Sequence, residues 1–223
     1  MNWILMILFV IVSTIVQQSL NNKIKKYSKV ALPNGMTGAD IARKMLRDNG
    51  INDVTVTHIP GRLTDHYNPM AKTVNLSEDV YHSCSIAAAA VAAHECGHAL
   101  QHATQYTPLK IRSSLVPIVS FSSNIMSIVI IIGLLLINVT TNILLVGIIL
   151  YALTTLFAFI TLPVEINASK RAINWLLATG ITNNQTSSMA ESALRSAAYT
   201  YVVNALCSLA TLFYYITIFN NRR

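Results

Sequence analysis

The chain has 223 residues, of which 53% are hydrophobic and only 11% are charged, and its mean hydropathy is +0.49. This composition lies outside the range of soluble globular proteins and indicates a membrane protein. The net charge of +7 does not indicate a nucleic-acid partner, because the basic residues cluster beside apolar segments, as they do next to membrane helices. The three cysteines, at positions 84, 96 and 207, predict no disulfide framework.

The chain begins with an apolar segment. Residues 3–16 are almost wholly apolar, and the segment extends to Leu20. It has no small-x-small cleavage site and no basic residue ahead of it, which favours a membrane anchor over a removed signal peptide. We therefore predict an N-terminal transmembrane anchor over residues 1–20, with a secretory signal as the alternative.

The next part, residues 21–113, is polar and rich in turn-forming residues. A partial capping box at Thr37 predicts the start of a short helix. Alternating residues at 54–58 predict a half-buried strand. Residues 62–67 and 72–76 predict a β-hairpin. Together these elements indicate a small α+β portion.

A longer helix is predicted from Ser85 to about Gln105, and its many alanines suit a central helix. It contains one H-E-x-x-H motif, formed by His94, Glu95 and His98. On a helix this spacing places two imidazoles on one face, with the glutamate beside them, as in a zinc site that carries its own general base. The motif alone is weak evidence, because three specified positions in five recur by chance. A membrane-spanning helix is disfavoured, because its ionisable side chains would need partners in hydrocarbon.

Three more apolar segments follow, at residues 115–137, 143–162 and 199–219. The first two predict a tight transmembrane hairpin, so the pattern indicates a predominantly α-helical integral membrane protein with about four transmembrane helices. The predicted divisions are the anchor (1–20), the α+β portion with the motif (21–113), the membrane hairpin (114–162), a polar segment (163–198) and a C-terminal membrane helix with its tail (199–223).

The basic residues predict the topology. Residues 21–113 carry eleven Lys and Arg residues, residues 163–198 carry three and residues 138–142 carry none. The positive-inside rule therefore predicts that the motif and the polar segment face the cytoplasm, with both termini outside. Arg222 and Arg223 oppose this orientation, but they lie in a two-residue tail.

A catalytic zinc needs a third protein ligand and an open position. His102 lies about 12 Å along the helix axis from His94 and cannot reach the same ion. After the motif, the remaining carboxylates are Glu165 and Glu191. Glu165 is preferred, because the membrane hairpin returns the chain to the side of the membrane on which the H-E-x-x-H motif lies. The structural alternative is that Glu165 merely stabilises an apparent helix start after Pro163 through the helix dipole.

Three segments together resemble the YugP-like family of bacterial neutral zinc metallopeptidases: residues 63–69 (LTDHYNP), 91–101 (VAAHECGHALQ) and 162–169 (LPVEINAS). The chain is also distantly similar to HtpX-like membrane endopeptidases. The resemblance implies a zincin-like endopeptidase in the bacterial plasma membrane that acts on proteins or peptides.

The resemblance also implies residue roles. The Zn²⁺ ligands would be His94, His98 and Glu165, and Glu95 would be the general base, as in gluzincin-type hydrolysis. An oxyanion donor is required as well, and the sequence offers three candidates whose more usual roles are packing or solvated charge. These are His66, Tyr67 and Arg171.

Two positions depart from the family pattern. Members commonly have aspartate where this chain has Asn68 and Asn167. Asparagine keeps a hydrogen bond but loses the charge that raises the basicity of ligand imidazoles, so metal affinity or turnover is expected to be lower. A non-catalytic metal-binding membrane scaffold is therefore the alternative function. An ion transporter is a third possibility, which the scarcity of ionisable residues in the spans disfavours.

Overall fold

The computed structural model describes residues 3–222 of the chain. The described part is mostly helical, with one small sheet, as the sequence predicts. Its elements in chain order are α1 (Trp3–Tyr27), α2 (Gly38–Asp48), β1 (Thr55–Ile59), β2 (His66–Asn68), β3 (Thr73–Ser77), α3 (Glu78–Tyr81), α4 (Ile86–Ala103), α5 (Thr107–Leu135), α6 (Asn142–Ala178) and α7 (Asn184–Asn220).

Three helices in the described part of the chain, α5, α6 and α7, are long and apolar enough to cross a membrane. The prediction of about four spans is therefore confirmed only in part. The chain is helical over most of the predicted anchor, whose residues 1 and 2 lie outside the described range. However, the almost wholly apolar part of α1, residues 3–16, is followed by the polar Gln17 and Gln18, and this helix is not among the three.

The long helices extend beyond the predicted apolar segments. α5 begins at Thr107, ahead of the apolar segment predicted from residue 115, so the basic residues before that segment lie on the same helix. α6 runs without interruption through Pro163, so the predicted helix start after this proline is wrong. The packing of α6 against α5 and α7 tolerates the proline inside the helix. Glu165 therefore lies deep within a helix, and the dipole explanation for it fails.

The sheet has the order β1-β3-β2, with β1 parallel and β2 antiparallel to the central strand β3. The hairpin prediction is confirmed, although β2 is limited to three residues. Because β2 pairs only with β3, its other edge faces away from the sheet, towards α4. The sheet thereby places one strand edge beside the helix that carries the H-E-x-x-H motif.

Helix α4 lies at the centre of the fold and packs against the sheet and against α2, α6 and α7. Ser85 caps its first turn by accepting a hydrogen bond from the backbone N–H of Ala88. Small side chains let its neighbours approach closely. A Cβ atom added at Gly97 would lie 2.6 Å from the carbonyl oxygen of Ala168 in α6. This close contact brings α4 and α6 near enough for their side chains to form one site.

Candidate metal centre

Two helices bring three potential metal ligands together. α4 contributes His94 and His98, and α6 contributes Glu165. The Nε2 atoms of His94 and His98 lie 3.3 Å and 3.6 Å from Oε2 of Glu165. Two ligands of one tetrahedral zinc, each at ~2.0–2.1 Å, are roughly 3.3 Å apart. The three side chains therefore fit a zinc ion, and they are the one group of this kind within residues 3–222.

Hydrogen bonds on the far side of each imidazole orient it. Nδ1 of His98 lies 3.0 Å from Oε1 of Gln101, whose amide nitrogen donates to the carbonyl of Val164 at 2.8 Å. This contact fixes the orientation of the amide, so its oxygen accepts a hydrogen bond from the Nδ1–H group of His98. Nε2 of His98 then has its lone pair free to bind a metal. Nδ1 of His94 has a similar partner in the hydroxyl of Ser169, at 3.0 Å.

Burial and charge act in opposite directions on His98. Burial is the largest single influence and disfavours the charged imidazolium, but Glu165, Glu95 and Gln101 together outweigh it, and the pKa of His98 is raised. The side chain of Glu165 is only 5% exposed, so this carboxylate needs nearby positive charge. A divalent cation would supply that charge and would displace any proton shared among the three side chains.

Glu95 lies beside this group and is held by the sheet. Its Oε2 accepts a hydrogen bond of 3.0 Å from the backbone N–H of Tyr67 in β2. The N–H of Tyr67 points away from β3, so the free edge of β2 reaches the motif helix. One oxygen of the Glu95 carboxylate is thus fixed, and the other remains available for a proton transfer.

The three potential ligands and Glu95 all line a cavity of about 580 Å³. The free edge of β2 and its preceding loop form one wall, α4 forms another, and the start of α5 forms a third. A residue of α7, Tyr201, also reaches the cavity. A space of this size admits a peptide segment of a few residues beside the carboxylate of Glu95.

The other candidates for a third ligand lie elsewhere. Nδ1 of His102 is 2.8 Å from the hydroxyl of Tyr67, outside the group of three. Glu191 forms an exposed ion pair with Arg195, one turn further along α7. The geometry therefore favours Glu165 over both as the partner of the two motif histidines.

Comparison with known proteins agrees with this geometry. The family model described as "Putative neutral zinc metallopeptidase" matches residues 2–220. The chain belongs to this family. It is 41% identical over 207 residues to the "Putative membrane protease YugP" of Bacillus subtilis (strain 168), a match that covers 93% of this chain and 91% of that protein. No solved structure matches the chain. The resemblance to the YugP-like metallopeptidases is confirmed.

The two departures from the metallopeptidase pattern have different surroundings. Oδ1 of Asn167 accepts hydrogen bonds from the amide of Gln101 and from Nε of Arg171, so this residue contacts the hydrogen-bond chain that orients His98. Oδ1 of Asn68 instead accepts from the backbone N–H groups of the following turn. The absence of a carboxylate at Asn167 is therefore the change that bears on the candidate site.

The three oxyanion candidates named from the sequence already have partners. His66 contacts the carbonyl of Thr64 and the amide of Asn75. The hydroxyl of Tyr67 contacts His102. The guanidinium of Arg171 bonds to Asn167 and lies over the ring of Tyr106. The ring nitrogens of His66 and the hydroxyl of Tyr67 are thus each in contact with a protein group, and Arg171 does not line the cavity. None of the three is placed to receive a substrate oxygen in this arrangement.

Sequence reasoning missed three residues at this candidate site, namely Gln101, Ser169 and Arg112. The first two follow His98 and Glu165 by one helical turn, and that spacing was an available signal. Arg112 is different, because nothing local distinguishes it from the other basic residues. Its Nη2 lies 4.0 Å from Oε1 of Glu165, a contact that only the packing of α5 creates.

Proposed function

We propose that the protein is a membrane-bound zinc-dependent endopeptidase, with His94, His98 and Glu165 as metal ligands and Glu95 as the general base. The observation that carries this proposal is the convergence of three ligand atoms on one point beside Glu95 and the cavity. Membership of the neutral zinc metallopeptidase family and the likeness to a membrane protease support it.

A bound zinc ion would lower the pKa of a water molecule towards ~7 and polarise the scissile carbonyl. The chain supplies the proton transfers. Glu95 takes one proton from the attacking water and delivers it to the leaving nitrogen, while the bond from Tyr67 keeps its carboxylate in place. Peptide and water thereby give a carboxylic acid and an amine, which become carboxylate and ammonium when the acid proton passes to the amine, and Glu95 returns to its starting state.

The proposal includes a membrane topology. α5, α6 and α7 cross the bilayer, and the apolar part of α1 serves as an additional anchor packed against α7. At ~1.5 Å per residue, the 37 residues of α6 span roughly 55 Å, well beyond the ~30 Å hydrocarbon layer, so Glu165 lies on a part of α6 that can extend out of it. The eleven basic residues within residues 21–113 favour a cytoplasmic site.

The alternative is a scaffold that binds metal without catalysis, which the loss of the carboxylate at Asn167 leaves open. The cavity beside Glu95 favours an enzyme, since a scaffold requires neither a positioned base nor space for a peptide next to it. The two functions differ in one measurable property, because both bind zinc but only the enzyme hydrolyses peptides.

The deciding experiment compares the purified wild type with Glu95→Gln. We expect one zinc per chain in both proteins by elemental analysis. We also expect cleavage of casein and of a fluorogenic peptide by the wild type, with a loss of about 10²–10⁴-fold in the variant. Glu78→Gln, which changes an exposed glutamate, is the matched control and should retain activity.

Three outcomes are informative. Zinc without cleavage in the wild type supports the scaffold. A wild-type protein without stoichiometric zinc contradicts both functions. Equal cleavage by wild type and Glu95→Gln contradicts the assigned base.

A further inference from the structure

The two oxygens of the Glu165 carboxylate face different partners. Oε2 lies near both motif imidazoles, whereas Oε1 faces the guanidinium of Arg112 across 4.0 Å. This distance is longer than a hydrogen bond, so Arg112 is near Glu165 but does not bind it directly. The arginine therefore places a positive charge beside the candidate metal centre with donors still free.

A second observation concerns the N–H groups of Arg112. Its Nε is fully buried, and none of the residues that the structure describes accepts a hydrogen bond from it. A buried donor without a partner is costly and therefore uncommon in folded proteins, and a catalytic role or a bound water or ion is among the explanations for such an atom. The side chain as a whole is 32% exposed and lines the cavity that also contains Glu95.

The position of Arg112 relative to the other groups is the third observation. Glu95 enters the cavity from α4, Glu165 from α6 and Arg112 from α5. A carbonyl group placed between the base and the guanidinium would have a proton acceptor on one side and cationic donors on the other. The three oxyanion candidates named from the sequence do not offer this, because the ring of His66 and the hydroxyl of Tyr67 already have partners and Arg171 does not line the cavity.

We propose that Arg112 is a catalytic residue whose guanidinium stabilises the carbonyl oxygen of the scissile peptide as negative charge develops on it. This assignment rests on the proposed peptidase function. Charge-assisted hydrogen bonds to an oxyanion are stronger than those to a neutral carbonyl, so the interaction favours the transition state over the substrate.

The step balances without any group beyond the peptide and water. The water oxygen bonds to the carbonyl carbon, its proton passes to Glu95, and the π-electron pair moves onto the oxygen beside Arg112. The carbonyl then re-forms as the C–N bond breaks with its electron pair on nitrogen, and Glu95 gives its proton to that nitrogen. Arg112 donates hydrogen bonds throughout and keeps all its protons.

The test measures kcat, KM, zinc content and the affinity for a phosphinic peptide, whose tetrahedral anionic centre mimics the transition state. For Arg112→Gln we expect kcat to fall about 10²–10³-fold with little change in KM. Zinc should remain at one per chain, and the phosphinic peptide should bind more weakly by a similar factor. Arg112→Lys, which keeps the charge without the planar fork, should recover part of kcat.

The matched control is Arg195→Gln, because Arg195 also faces a helix glutamate but lies outside the cavity. Its kcat and phosphinic affinity should equal those of the wild type. A lowered melting temperature would reveal that Arg112→Gln is poorly folded. In that case, kcat, zinc content and phosphinic affinity of Arg112→Lys are compared with those of the wild type instead.

Two results would overturn the assignment. Unchanged kcat or phosphinic affinity in Arg112→Gln excludes contact with the oxyanion. Loss of zinc in parallel with activity makes Arg112 a positioning residue for Glu165 instead. Both results leave the peptidase function intact if Glu95→Gln is inactive, whereas a wild type without zinc or cleavage defeats that function itself.

Discussion

Gln101 connects His98 to the helix that carries the third candidate ligand. Its amide oxygen accepts from Nδ1 of His98 at 3.0 Å, and its amide nitrogen donates to the carbonyl of Val164 at 2.8 Å. Val164 directly precedes Glu165. One buried side chain therefore fixes the orientation of an imidazole and its distance from the carboxylate on a different helix.

Replacing Gln101 with leucine should lower zinc affinity. The substitution keeps the side-chain volume close to that of glutamine but removes the acceptor for Nδ1 of His98 and the side-chain donor to the Val164 carbonyl. Loss of such an outer partner typically weakens metal binding about 10–100-fold. Titration with a competing zinc chelator measures the change, and Gln185→Leu, at an exposed position, is the control. Equal zinc affinity in Gln101→Leu and wild type would show that Gln101 does not orient the ligand.

The identity of the third ligand can be decided by a pair of alanine substitutions. Glu165→Ala should lose stoichiometric zinc, because two imidazoles alone do not complete a catalytic zinc site. Glu191→Ala should retain zinc, because it removes only an exposed ion pair worth little free energy. Elemental analysis of the purified variants provides the measurement. The reverse pattern would transfer the ligand role to Glu191.

Gly97→Ala should damage both stability and metal binding. The added Cβ would lie 2.6 Å from the backbone of Ala168, which cannot move without shifting α6. Overpacking of this kind costs about 1–3 kcal/mol and separates the helices that carry the ligands. Melting temperature and zinc affinity should fall together. Gly147→Ala also crowds a helix contact, with Ile130, but that contact lies on the membrane hairpin, so zinc affinity should be unchanged.

The two asparagines should respond differently to replacement by aspartate. In Asn167→Asp the carboxylate would strengthen the bonds from Gln101 and Arg171 and add negative charge near the site, so zinc affinity should rise several-fold. In Asn68→Asp the side chain would still accept from the turn backbone, and zinc affinity should not change. Chelator competition on both variants tests the difference, and an equal effect of the two would contradict it.

The sequence by itself determined the features that depend on neighbouring residues. Helical periodicity put His94 and His98 on one face, and the partial capping box at Thr37 marked the start of α2. Of the four apolar segments, three coincide with helices that are long and apolar enough to cross a membrane. The scarcity of acidic residues left Glu165 and Glu191 as the downstream carboxylates, so the amino-acid sequence alone limits the third ligand to two candidates.

Only the tertiary structure decided how α4, α5 and α6 meet. The continuity of α6 through Pro163 sets the rotation that turns Glu165 towards the two imidazoles, and the close approach at Gly97 sets the distance. Arg112 comes near Glu165 through packing between helices whose residues are distant in the chain. No local pattern encodes such a contact, because it results from the combined packing of side chains on several helices, whereas a turn, a cap or a helical face depends on residues close in sequence.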